Sequence, residues 1–393
     1  MGSTKNLTEF LEFSNERRRK IMNVPFYTAT REYKNLKNEF DAALSSVLET
    51  GDFILGKAVA NLEEGIKQYT GAKYAVGVAN GSDALVIASD ILGFKNGAEV
   101  ITPAFTFFAS ASCIARLGGK PIFCDVDEDT FCMDMQDAEK RLTKNTVGIL
   151  PVHLFLQTAD MAACMTLAKK YNLRVLEDAA EAFGMQDVYN GALHQSGTIG
   201  DMGIYSFFPT KTLGGYGDGG MIVTNNEEYY VKAKSLRVHG ATKKYHHDYI
   251  GYNSRLDSLQ AAILNVKLKH IDTAIAKRAE HAAQYRALLK DIGQIKLPVV
   301  KTKGKEVYYV FNILAENRDA LQAYLTEKGV GTTVYYPKCL HEQECFKYLG
   351  YKKGDFPVAE KLCASVLALP MYPELTQDEI TYTCDAIKAF YKR

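Results

Sequence analysis

Short apolar segments alternate with segments of helical periodicity over residues 74–177, and this alternation constrains the fold more than any other feature of the chain. The periodicity predicts strands over residues 74–79, 100–102, 122–126, 147–152 and 173–177. It predicts helices between them, over residues 82–92, 108–117, 134–142 and 160–171. Such alternation is typical of a parallel sheet covered by helices on both faces. Ligands of these sheets bind at the carboxyl ends of the strands, so we look for functional residues there.

The pattern changes near residue 255. Residues 256–289 form one long stretch of helical composition without proline or glycine, which favours a single helix that connects two domains. Beyond it, the sequence predicts strands over residues 307–314 and 331–336 and helices over residues 319–328 and 377–391.

These elements predict an α/β protein with three parts. An N-terminal extension, residues 1–30, holds a peripheral helix over residues 7–22. A large domain with a mostly parallel sheet follows over residues 31–280 and includes the start of the connecting helix. Residues 281–393 form a smaller α+β domain.

The composition excludes several other classes of protein. Of 393 residues, 47% are hydrophobic and 24% are charged, so the chain is neither disordered nor fibrous. Its 47 lysines and arginines balance 46 aspartates and glutamates, without the basic excess of a nucleic-acid binder. The longest apolar run, residues 147–156, is too short to span a bilayer, and the basic residues 17–20 lack the apolar continuation of a secretory signal. We predict a cytoplasmic protein with no membrane or nucleic-acid partner.

The cysteines point to packing rather than to chemistry. The eight cysteines form no C-x-x-C pair and lie in apolar or mixed runs, where cysteine acts as a small hydrophobic residue. A disulfide framework is not expected in a chain of this size, and the spacing of a zinc site is missing. We therefore predict no metal.

The segment SFFPTKTLGGYGDGG, residues 206–220, places Lys211 on a turn between a predicted strand (203–205) and a glycine-rich run. A lysine that forms a Schiff base needs a tight pocket that admits a carbonyl and lowers the pKa of its amine. The alternative is a glycine-rich turn that holds an incidental lysine. This segment alone does not separate the two interpretations.

Asp178 follows a predicted strand and is itself followed by two alanines and Glu181. A carboxylate at the carboxyl edge of a strand, next to small residues, can approach a flat ring closely. Pyridoxal phosphate needs such a carboxylate beside its pyridine nitrogen, because a protonated nitrogen makes the ring an electron sink. The alternative, more common for an isolated aspartate, is that Asp178 caps the following helix.

Two other strand ends carry weaker signals. The segment NGSDAL, residues 80–85, opens a predicted helix, and the unpaired amides of a first helical turn attract phosphate. The alternative there is an ordinary capped helix start. The segment 102–108 offers an aromatic ring that can stack on a flat cofactor, and the alternative is that these aromatics belong to the core.

Together the four segments supply a phosphate cradle, an aromatic platform, a carboxylate for a ring nitrogen and a Schiff-base lysine, each just after a predicted strand. Pyridoxal phosphate needs all four groups, and no other common cofactor needs the whole set. The sequence therefore predicts a pyridoxal phosphate site.

With these motifs in place, the sequence resembles the nucleotide-sugar aminotransferases of the DegT/DnrJ/StrS family, pyridoxal phosphate enzymes with the type I (aspartate aminotransferase) fold. The resemblance runs from Val24 to Pro373. It is carried by the ordered motifs GDFILG (51–56), NGSDAL (80–85), EDAA (177–180), the lysine segment (206–220) and GYNSRLD (251–257).

The resemblance implies a role for each matching residue near the cofactor ring. Lys211 would form the Schiff base and later shuttle the proton between the carbons of cofactor and substrate. Asp178 would pair with the pyridine nitrogen, and Phe107 would stack on the ring. Glu181 would lie near the ring hydroxyl, where many members of the family have glutamine.

The resemblance also implies a phosphate site shared between two subunits. Backbone amides of the turn Gly81, Ser82 and Asp83 would hold the phosphate, helped by the hydroxyl of Ser206. Asn253 would reach the phosphate from the neighbouring subunit, which makes the active site a property of a homodimer.

Four further residues match positions at the substrate side of the site. Arg255 lies in the same loop as Asn253 and would contact the phosphate or the substrate. His239 would lie at the rim of the active site, and His341 and Tyr336 would face the substrate.

The retained lysine decides the type of reaction. Members of the family that dehydrate or deoxygenate the sugar carry histidine at the position of Lys211, so lysine implies transamination. The expected reaction moves an amino group from L-glutamate, through pyridoxamine phosphate, to a keto group of a nucleotide-linked hexose. Such a reaction belongs to amino-sugar biosynthesis for a polysaccharide or a lipopolysaccharide O-antigen.

The carbon that receives the amino group is predicted from two segments. Residues 207–220 and 237–247 are more similar to members that aminate C3, on dTDP-linked 3-keto-6-deoxyhexoses or UDP-linked 3-keto uronic acids. Glu181 leaves C4 open, because enzymes that act at C4 often carry glutamate there. A different ketone such as a cyclitol also stays open as the substrate, and a pyridoxal-phosphate-binding regulator of the same fold stays open as the function.

Overall fold

The computed structural model describes residues 22–392. The strands in chain order are β1 (Tyr74–Val78), β2 (Glu99–Pro103), β3 (Lys120–Cys124), β4 (Thr146–Ile149), β5 (Arg174–Asp178), β6 (Gln186–Tyr189), β7 (Ala192–Gln195), β8 (Met202–Ser206), β9 (Gly220–Thr224), β10 (Ala241–Lys243), β11 (His246–His247), β12 (Ile295–Lys296), β13 (Phe311–Ala315) and β14 (Val366–Leu369).

The helices in chain order are α1 (Thr30–Asn35), α2 (Lys37–Thr50), α3 (Lys57–Thr70), α4 (Gly81–Leu92), α5 (Ala109–Arg116), α6 (Met135–Lys140), α7 (Met161–Tyr171), α8 (Glu227–Leu236), α9 (Ser258–Lys269), α10 (Ile271–Leu289), α11 (Arg318–Glu327), α12 (Pro357–Ser365) and α13 (Gln377–Tyr391). Two 3₁₀ turns, Leu340–Glu342 and Glu344–Leu349, precede α12.

The largest sheet has seven strands in the order β1-β9-β8-β5-β4-β2-β3. β9 runs antiparallel to both of its neighbours, and every other adjacent pair is parallel. All strands except β9 therefore end at the same edge of the sheet. The mostly parallel α/β fold and the predicted strands and helices between residues 74 and 177 are confirmed.

The strands are apolar because helices cover both faces of the sheet. Every residue of β2 and β9 is buried, and in β1, β3 and β5 only the first residue is not. A fully buried valine, leucine or isoleucine contributes about 1.5–3 kcal/mol to stability, so these runs hold the sheet in place. The rigid sheet in turn fixes the positions of the residues that follow its strands.

Side-chain caps decide where the helices begin after the strands. Asn80 accepts a hydrogen bond from the amide of Asp83 and starts α4 two residues after β1. Asp160 accepts from the amide of Ala163 and starts α7. Caps of this kind contribute about 1 kcal/mol each, and here they bring helix N-termini to the carboxyl edge of the sheet.

The single connecting helix predicted over residues 256–289 is wrong, because the chain forms two helices that meet at His270. α9 packs against α2 and α3, whereas α10 packs against α13. His270 ends α9, and its ring Nε2 lies 3.0 Å from Glu39 on α2. The break lets each helix bury its apolar side against its own partners. The sequence does not predict this break, because residues 256–289 contain no proline or glycine.

The C-terminal part holds a second sheet, with β13 between β12 and β14 and all pairs antiparallel. The predicted strand over residues 331–336 does not form: Thr333 makes one isolated bridge to Ala368. Tyr335 and Tyr336 follow without pairing, because their side chains instead line a cavity at the large sheet. The helix predicted over residues 377–391 is confirmed as α13, which Thr376 starts with a capping box.

The N-terminal segment is tied to the C-terminal part by a parallel bridge between Val24 and Val330. The helix predicted over residues 7–22 lies, apart from Met22, outside the described residues. The predicted domain boundary at residue 280 would fall inside α10, and the division into domains stays a prediction. Among residues 22–392, helices both long and apolar enough to cross a membrane are not found.

Candidate active site

A cavity of about 520 Å³ opens at the carboxyl edge of the large sheet. Its walls come from the ends of β1, β5 and β8, from the starts of α4 and α5, and from two distant segments near residues 309 and 335. Lining residues include most of the predicted set: Gly81, Ser82, Phe107, Asp178, Glu181, Ser206, Lys211 and Tyr336. The four motif segments of the sequence analysis therefore meet in one place, as the parallel topology requires.

Lys211 lies on a tight turn directly after β8. Its amide donates to the carbonyl oxygen of Phe208 at 2.8 Å, and the following chain folds back so that the Gly215 amide donates to Phe207 O at 2.7 Å. A Cβ added to Gly214 would lie 2.4 Å from the Pro209 carbonyl oxygen. The turn that presents Lys211 therefore requires glycine, which supports a built pocket over an incidental lysine.

The amine of Lys211 is held between a carboxylate and an aromatic ring. Its Nζ lies 3.1 Å from Glu181 Oε1 and 4.3 Å from the centre of the Tyr309 ring. Burial by itself lowers the pKa of the Lys211 ammonium, but Glu181, Tyr309 and Asp178 outweigh that effect and raise the pKa above its ordinary value. Within the protein alone, Lys211 is therefore a charged ammonium that points into the cavity, and the lowered amine pKa expected from the sequence is not found, because Glu181 lies beside the amine.

Glu181 connects Lys211 to the opposite wall. Its Oε1 also accepts a hydrogen bond from the Tyr336 hydroxyl at 3.2 Å, and its Oε2 accepts one from the Phe155 amide at 3.2 Å. Burial raises the pKa of the Tyr336 hydroxyl, and the negative charge of Glu181 raises it further. Tyr336 therefore stays a neutral donor, and the cluster keeps one ammonium and one carboxylate in contact.

Asp178 is the last residue of β5 and is buried. Ser110 Oγ donates to its Oδ2 at 2.7 Å, and the Ala180 amide donates to its Oδ1 at 3.1 Å. Burial raises the pKa of the Asp178 carboxyl, while the Ser110 hydrogen bond and the charge of Lys211 oppose that rise. The alternative of a helix cap does not fit, because Asp178 lines the cavity instead and no regular helix follows it before β6.

The start of α4 has the properties of a phosphate site. Ala84 N makes the first helical hydrogen bond, to Asn80 O, so the amides of Gly81 and Ser82 precede the helical ladder. A Cβ added to Gly81 would lie 2.7 Å from Ser206 Cβ, so glycine allows β8 and α4 to meet. Ser82 and Ser206 both line the cavity wall, at the positive end of the helix dipole.

Asp83 differs from the other residues of this turn. Its amide donates to the Asn80 side chain at 2.8 Å, and the residue does not line the cavity. The structure therefore brings Gly81 and Ser82, but not Asp83, to the predicted phosphate position.

Phe107 provides the aromatic wall. It is 55% exposed, which is unusual for phenylalanine and excludes the alternative of an ordinary core residue. Its ring lies 6.2 Å from that of Tyr336, at an angle of 43°. One face of Phe107 is thus free for a flat ligand.

The residues predicted for subunit contact and the substrate rim lie elsewhere. Asn253 is exposed and forms a bridge with Val238, and exposed His239 has the left-handed φ of 63°. Neither these residues nor Arg255 line the cavity of one chain. Their roles at a subunit boundary stay predictions.

His341 is not brought to the cavity. It is buried in a 3₁₀ turn, its ring 4.6 Å from that of Phe356 and its Nε2 3.2 Å from Glu360 on α12. The turn directs the side chain into the packing between α12 and the sheet. The predicted substrate contact of His341 therefore finds no support in the fold of one chain.

Two residues of the site were missed in the sequence. Ser110, the partner of Asp178, lies three positions after Phe107, and helical spacing next to the aromatic motif could have suggested it. Tyr309, which lies against Lys211, comes from an irregular segment far along the chain and carries no local signal.

A parallel α/β sheet whose carboxyl edge joins a lysine, a buried aspartate and the open start of a helix defines the pyridoxal phosphate enzymes of fold type I. The residues fit the cofactor: the helix start suits a phosphate, Phe107 a flat ring and Asp178 a ring nitrogen.

Comparison with known proteins identifies the particular family. The sequence profile of the DegT/DnrJ/EryC1/StrS aminotransferase family matches residues 34–388. The chain belongs to this family. It is a pyridoxal-phosphate-dependent aminotransferase, as the sequence predicts.

Three relatives show how far the similarity extends. A pleiotropic regulatory protein of Geobacillus stearothermophilus is 47% identical over 373 residues, covering 94% of this chain and 99% of that protein. The UDP-2-acetamido-2-deoxy-3-oxo-D-glucuronate aminotransferase of Pseudomonas aeruginosa is 40% identical, covering 93% of this chain and 99% of its own. The crystal structure of Streptomyces venezuelae DesV in complex with a ketimine intermediate has a TM-score of 0.90 at 35% identity, covering 94% of this chain and 99% of DesV.

Proposed function

We propose that this enzyme transfers an amino group from L-glutamate to the C3 keto group of a nucleotide-linked hexose. The observation that carries the proposal is the position of Lys211, whose ammonium points into the cavity 3.1 Å from Glu181. A lysine in such a pocket can bind a carbonyl carbon and can carry a proton. Because lysine is retained, transamination is favoured over removal of a sugar hydroxyl.

The cofactor and the protein divide the work. Pyridoxal phosphate, when bound, supplies an electron sink for the carbon that carries the substrate nitrogen. Asp178 would hold the proton of the ring nitrogen, and Ser110 keeps its carboxylate in place. The amides of Gly81 and Ser82 would hold the phosphate with the Ser206 hydroxyl.

Lys211 is the group that moves the proton. Its Nζ would hold the cofactor, and as a free amine it would carry a proton to and from the reacting carbon. Glu181 Oε1 accepts from Nζ and holds it in the cavity, and the Tyr336 hydroxyl donates to the same carboxylate oxygen and fixes its position. Phe107 covers the ring and excludes water from one face.

The substrate class is supported by the Pseudomonas aeruginosa relative, which is named for a UDP-linked 3-oxo sugar acid. Similarity at the segments 207–220 and 237–247 favours the same carbon. A dTDP-linked 3-keto-6-deoxyhexose is the second substrate to test, and a C4 keto sugar the third. Aminated sugars of this type serve cell-surface polysaccharides such as an O-antigen, and we propose that the enzyme makes them in the cytoplasm.

We also propose that the working enzyme is a homodimer. Asn253 and Arg255 do not line the cavity of their own chain, yet they belong to a motif of the family. In a dimer they would complete the phosphate site of the neighbouring subunit.

A regulatory protein is the second candidate, because the Geobacillus stearothermophilus relative is named as one. The cavity argues for catalysis, since a sensor that only binds the cofactor has no need of an acid–base pair such as Lys211 and Glu181. Turnover separates the two functions.

The test is the visible absorbance of the purified protein with pyridoxal phosphate, before and after addition of L-glutamate, followed by UDP- and dTDP-linked 3-keto sugars. We expect L-glutamate to convert the cofactor to its pyridoxamine form, and one keto sugar to reverse the change with release of an amino sugar. A cofactor band that no amino donor changes would favour the regulator. Conversion by glutamate with turnover of C4 keto sugars alone would contradict the C3 assignment.

A further inference from the structure

Arg278 lies on α10, and its buried side chain donates hydrogen bonds to the backbone of other segments. Its Nη1 donates to the carbonyl oxygens of Tyr308 at 3.3 Å, Tyr309 at 3.2 Å and Met371 at 2.8 Å. The residue is only 2% exposed. Burying a charged group costs free energy, so a guanidinium placed on carbonyl oxygens in the interior points to a specific structural task.

The segment that Arg278 holds is strained. Tyr308 has a φ of 44°, in the left-handed region that a bulky side chain rarely adopts. Such a conformation persists only where the surroundings impose it. Arg278 binds the carbonyl groups on both sides of the Tyr309 α-carbon, and the Tyr309 amide donates to Phe155 O at 3.2 Å.

This strained turn delivers Tyr309 to the catalytic lysine. The Tyr309 ring lies 4.3 Å from Lys211 Nζ, and its hydroxyl lies 3.1 Å from the hydroxyl of Thr210, the residue before Lys211. The Tyr27 hydroxyl also holds this turn, because it donates to Pro209 O at 2.6 Å. Two contacts therefore fix the lysine turn, and one of them comes from the backbone segment that Arg278 holds.

We infer that Arg278 is a positioning residue for the aminotransferase reaction: it holds the 308–309 turn so that the Tyr309 ring supports Lys211. The inference rests on the proposed role of Lys211. In this inference Arg278 does not contact substrate or cofactor. It affects turnover only by fixing the position of Tyr309.

The test compares Arg278→Met with Arg318→Met in the full-length enzyme. Arg318 is a matched control, because it is also a buried arginine that donates to a backbone carbonyl, Val366 O at 2.8 Å, but the strand that it binds does not line the cavity. Hydrogen exchange of the peptide covering residues 306–311 is measured with and without pyridoxal phosphate. We expect faster exchange there in Arg278→Met, in both states, and unchanged exchange in Arg318→Met.

Kinetics supply the second readout. We expect Arg278→Met to lower kcat by about tenfold to a hundredfold, the cost of a misplaced catalytic group, with the KM for L-glutamate and the affinity for pyridoxal phosphate within about twofold. Unchanged exchange at 306–311, or faster exchange with unchanged kcat, would overturn the inference. An equal loss of kcat in Arg318→Met would overturn it as well, since any buried arginine would then have the same effect.

Two further variants keep the inference testable if Arg278→Met does not fold. Tyr309→Leu removes the ring and leaves Arg278 in place, and it should reproduce the loss of kcat without the faster exchange. Arg278→Lys keeps the charge and should recover part of kcat. Normal kcat in Tyr309→Leu would contradict the inference, whereas normal turnover in Lys211→Arg would contradict the proposed function itself.

Discussion

Glu177 and Asp178 are neighbours on β5, both carboxylates and both buried, yet they differ in how completely they are bonded. Because side chains alternate along a strand, the two point to opposite faces of the sheet. Glu177 accepts hydrogen bonds at both oxygens from the amides of Gly197, Ile199 and Gly200, and from His153. Asp178 accepts one hydrogen bond at each oxygen and lines the cavity.

The groups bonded to Glu177 can only donate hydrogen bonds to it. His153 Nδ1 accepts from the Ala159 amide, so the proton of the ring is on Nε2 and is donated to Glu177. Every partner of Glu177 is then a donor. Its carboxylate ties the segment before β8 to β5, which is a structural task.

The partners of Asp178 are different in kind. Ser110 has a hydroxyl, which can donate or accept, and the remaining acceptor capacity of the carboxylate faces the cavity. The comparison teaches that burial and charge do not by themselves mark a functional carboxylate. What distinguishes Asp178 is that part of its bonding capacity is left for a ligand.

Among variants of the residues that line the cavity, Lys211→Ala is expected to have the largest effect on turnover. Because the variant lacks the amine that lies 3.1 Å from Glu181, we expect turnover to fall by about a thousandfold or more. The variant should still bind pyridoxamine phosphate. Steady-state kinetics and a binding titration measure both, and normal turnover would remove Lys211 from its role.

Asp178→Asn is expected to have the next largest effect. Its amide can donate to the Ser110 hydroxyl while its carbonyl oxygen accepts from Ala180, so the fold should tolerate the change. Without the carboxylate the ring nitrogen loses its partner, and kcat should drop by about a hundredfold. Near-normal kcat at saturating cofactor would show that Asp178 serves structure only.

Glu177→Gln should behave in the opposite way. The new amide would face N–H donors whichever way it turned, because the groups around Glu177 are all donors. We expect a loss of about 2–4 kcal/mol in the free energy of unfolding, measured in urea, with kcat per folded enzyme changed less than about threefold. A stable variant with low kcat would break the contrast between the two carboxylates.

The smallest expected effect is a pH dependence of stability that comes from Asp178. Burial raises the pKa of Asp178, so the folded state holds this proton more tightly than the unfolded state does. The ionised carboxylate therefore costs stability above the raised pKa, and the cost disappears as the pH falls through it. Urea unfolding of the cofactor-free protein should show Asp178→Asn more stable than the parent near neutral pH, with the difference shrinking in acid. A difference that grows in acid would contradict this sign.

Much of the fold and the core of the site can be predicted from the sequence because the signals are local. The strands that precede Gly81, Phe107, Asp178 and Lys211 are short apolar runs, and a parallel sheet brings their ends together whatever the details. The roles of these residues come from the family resemblance, because hydrophobic periodicity predicts structure and not chemistry.

The rest depends on contacts between distant segments. The break at His270 reflects which partners α9 and α10 pack against, and the absent strand at 331–336 reflects the use of Tyr335 and Tyr336 as cavity walls. Tyr309 reaches Lys211 from a segment almost a hundred residues further along the chain, and its carbonyl oxygen accepts a hydrogen bond from Arg278. No local pattern of residues predicts the helix break, the absent strand or the contact of Tyr309 with Lys211.

The most direct test of the account is to identify the lysine that binds the cofactor. The enzyme with pyridoxal phosphate is reduced with borohydride, digested and mapped by mass spectrometry, beside Lys211→Ala as control. The account predicts the pyridoxyl group on the peptide that contains Lys211, and none on that peptide in the variant. A modified lysine elsewhere, with Lys211 unmodified in an enzyme that turns over, would contradict it.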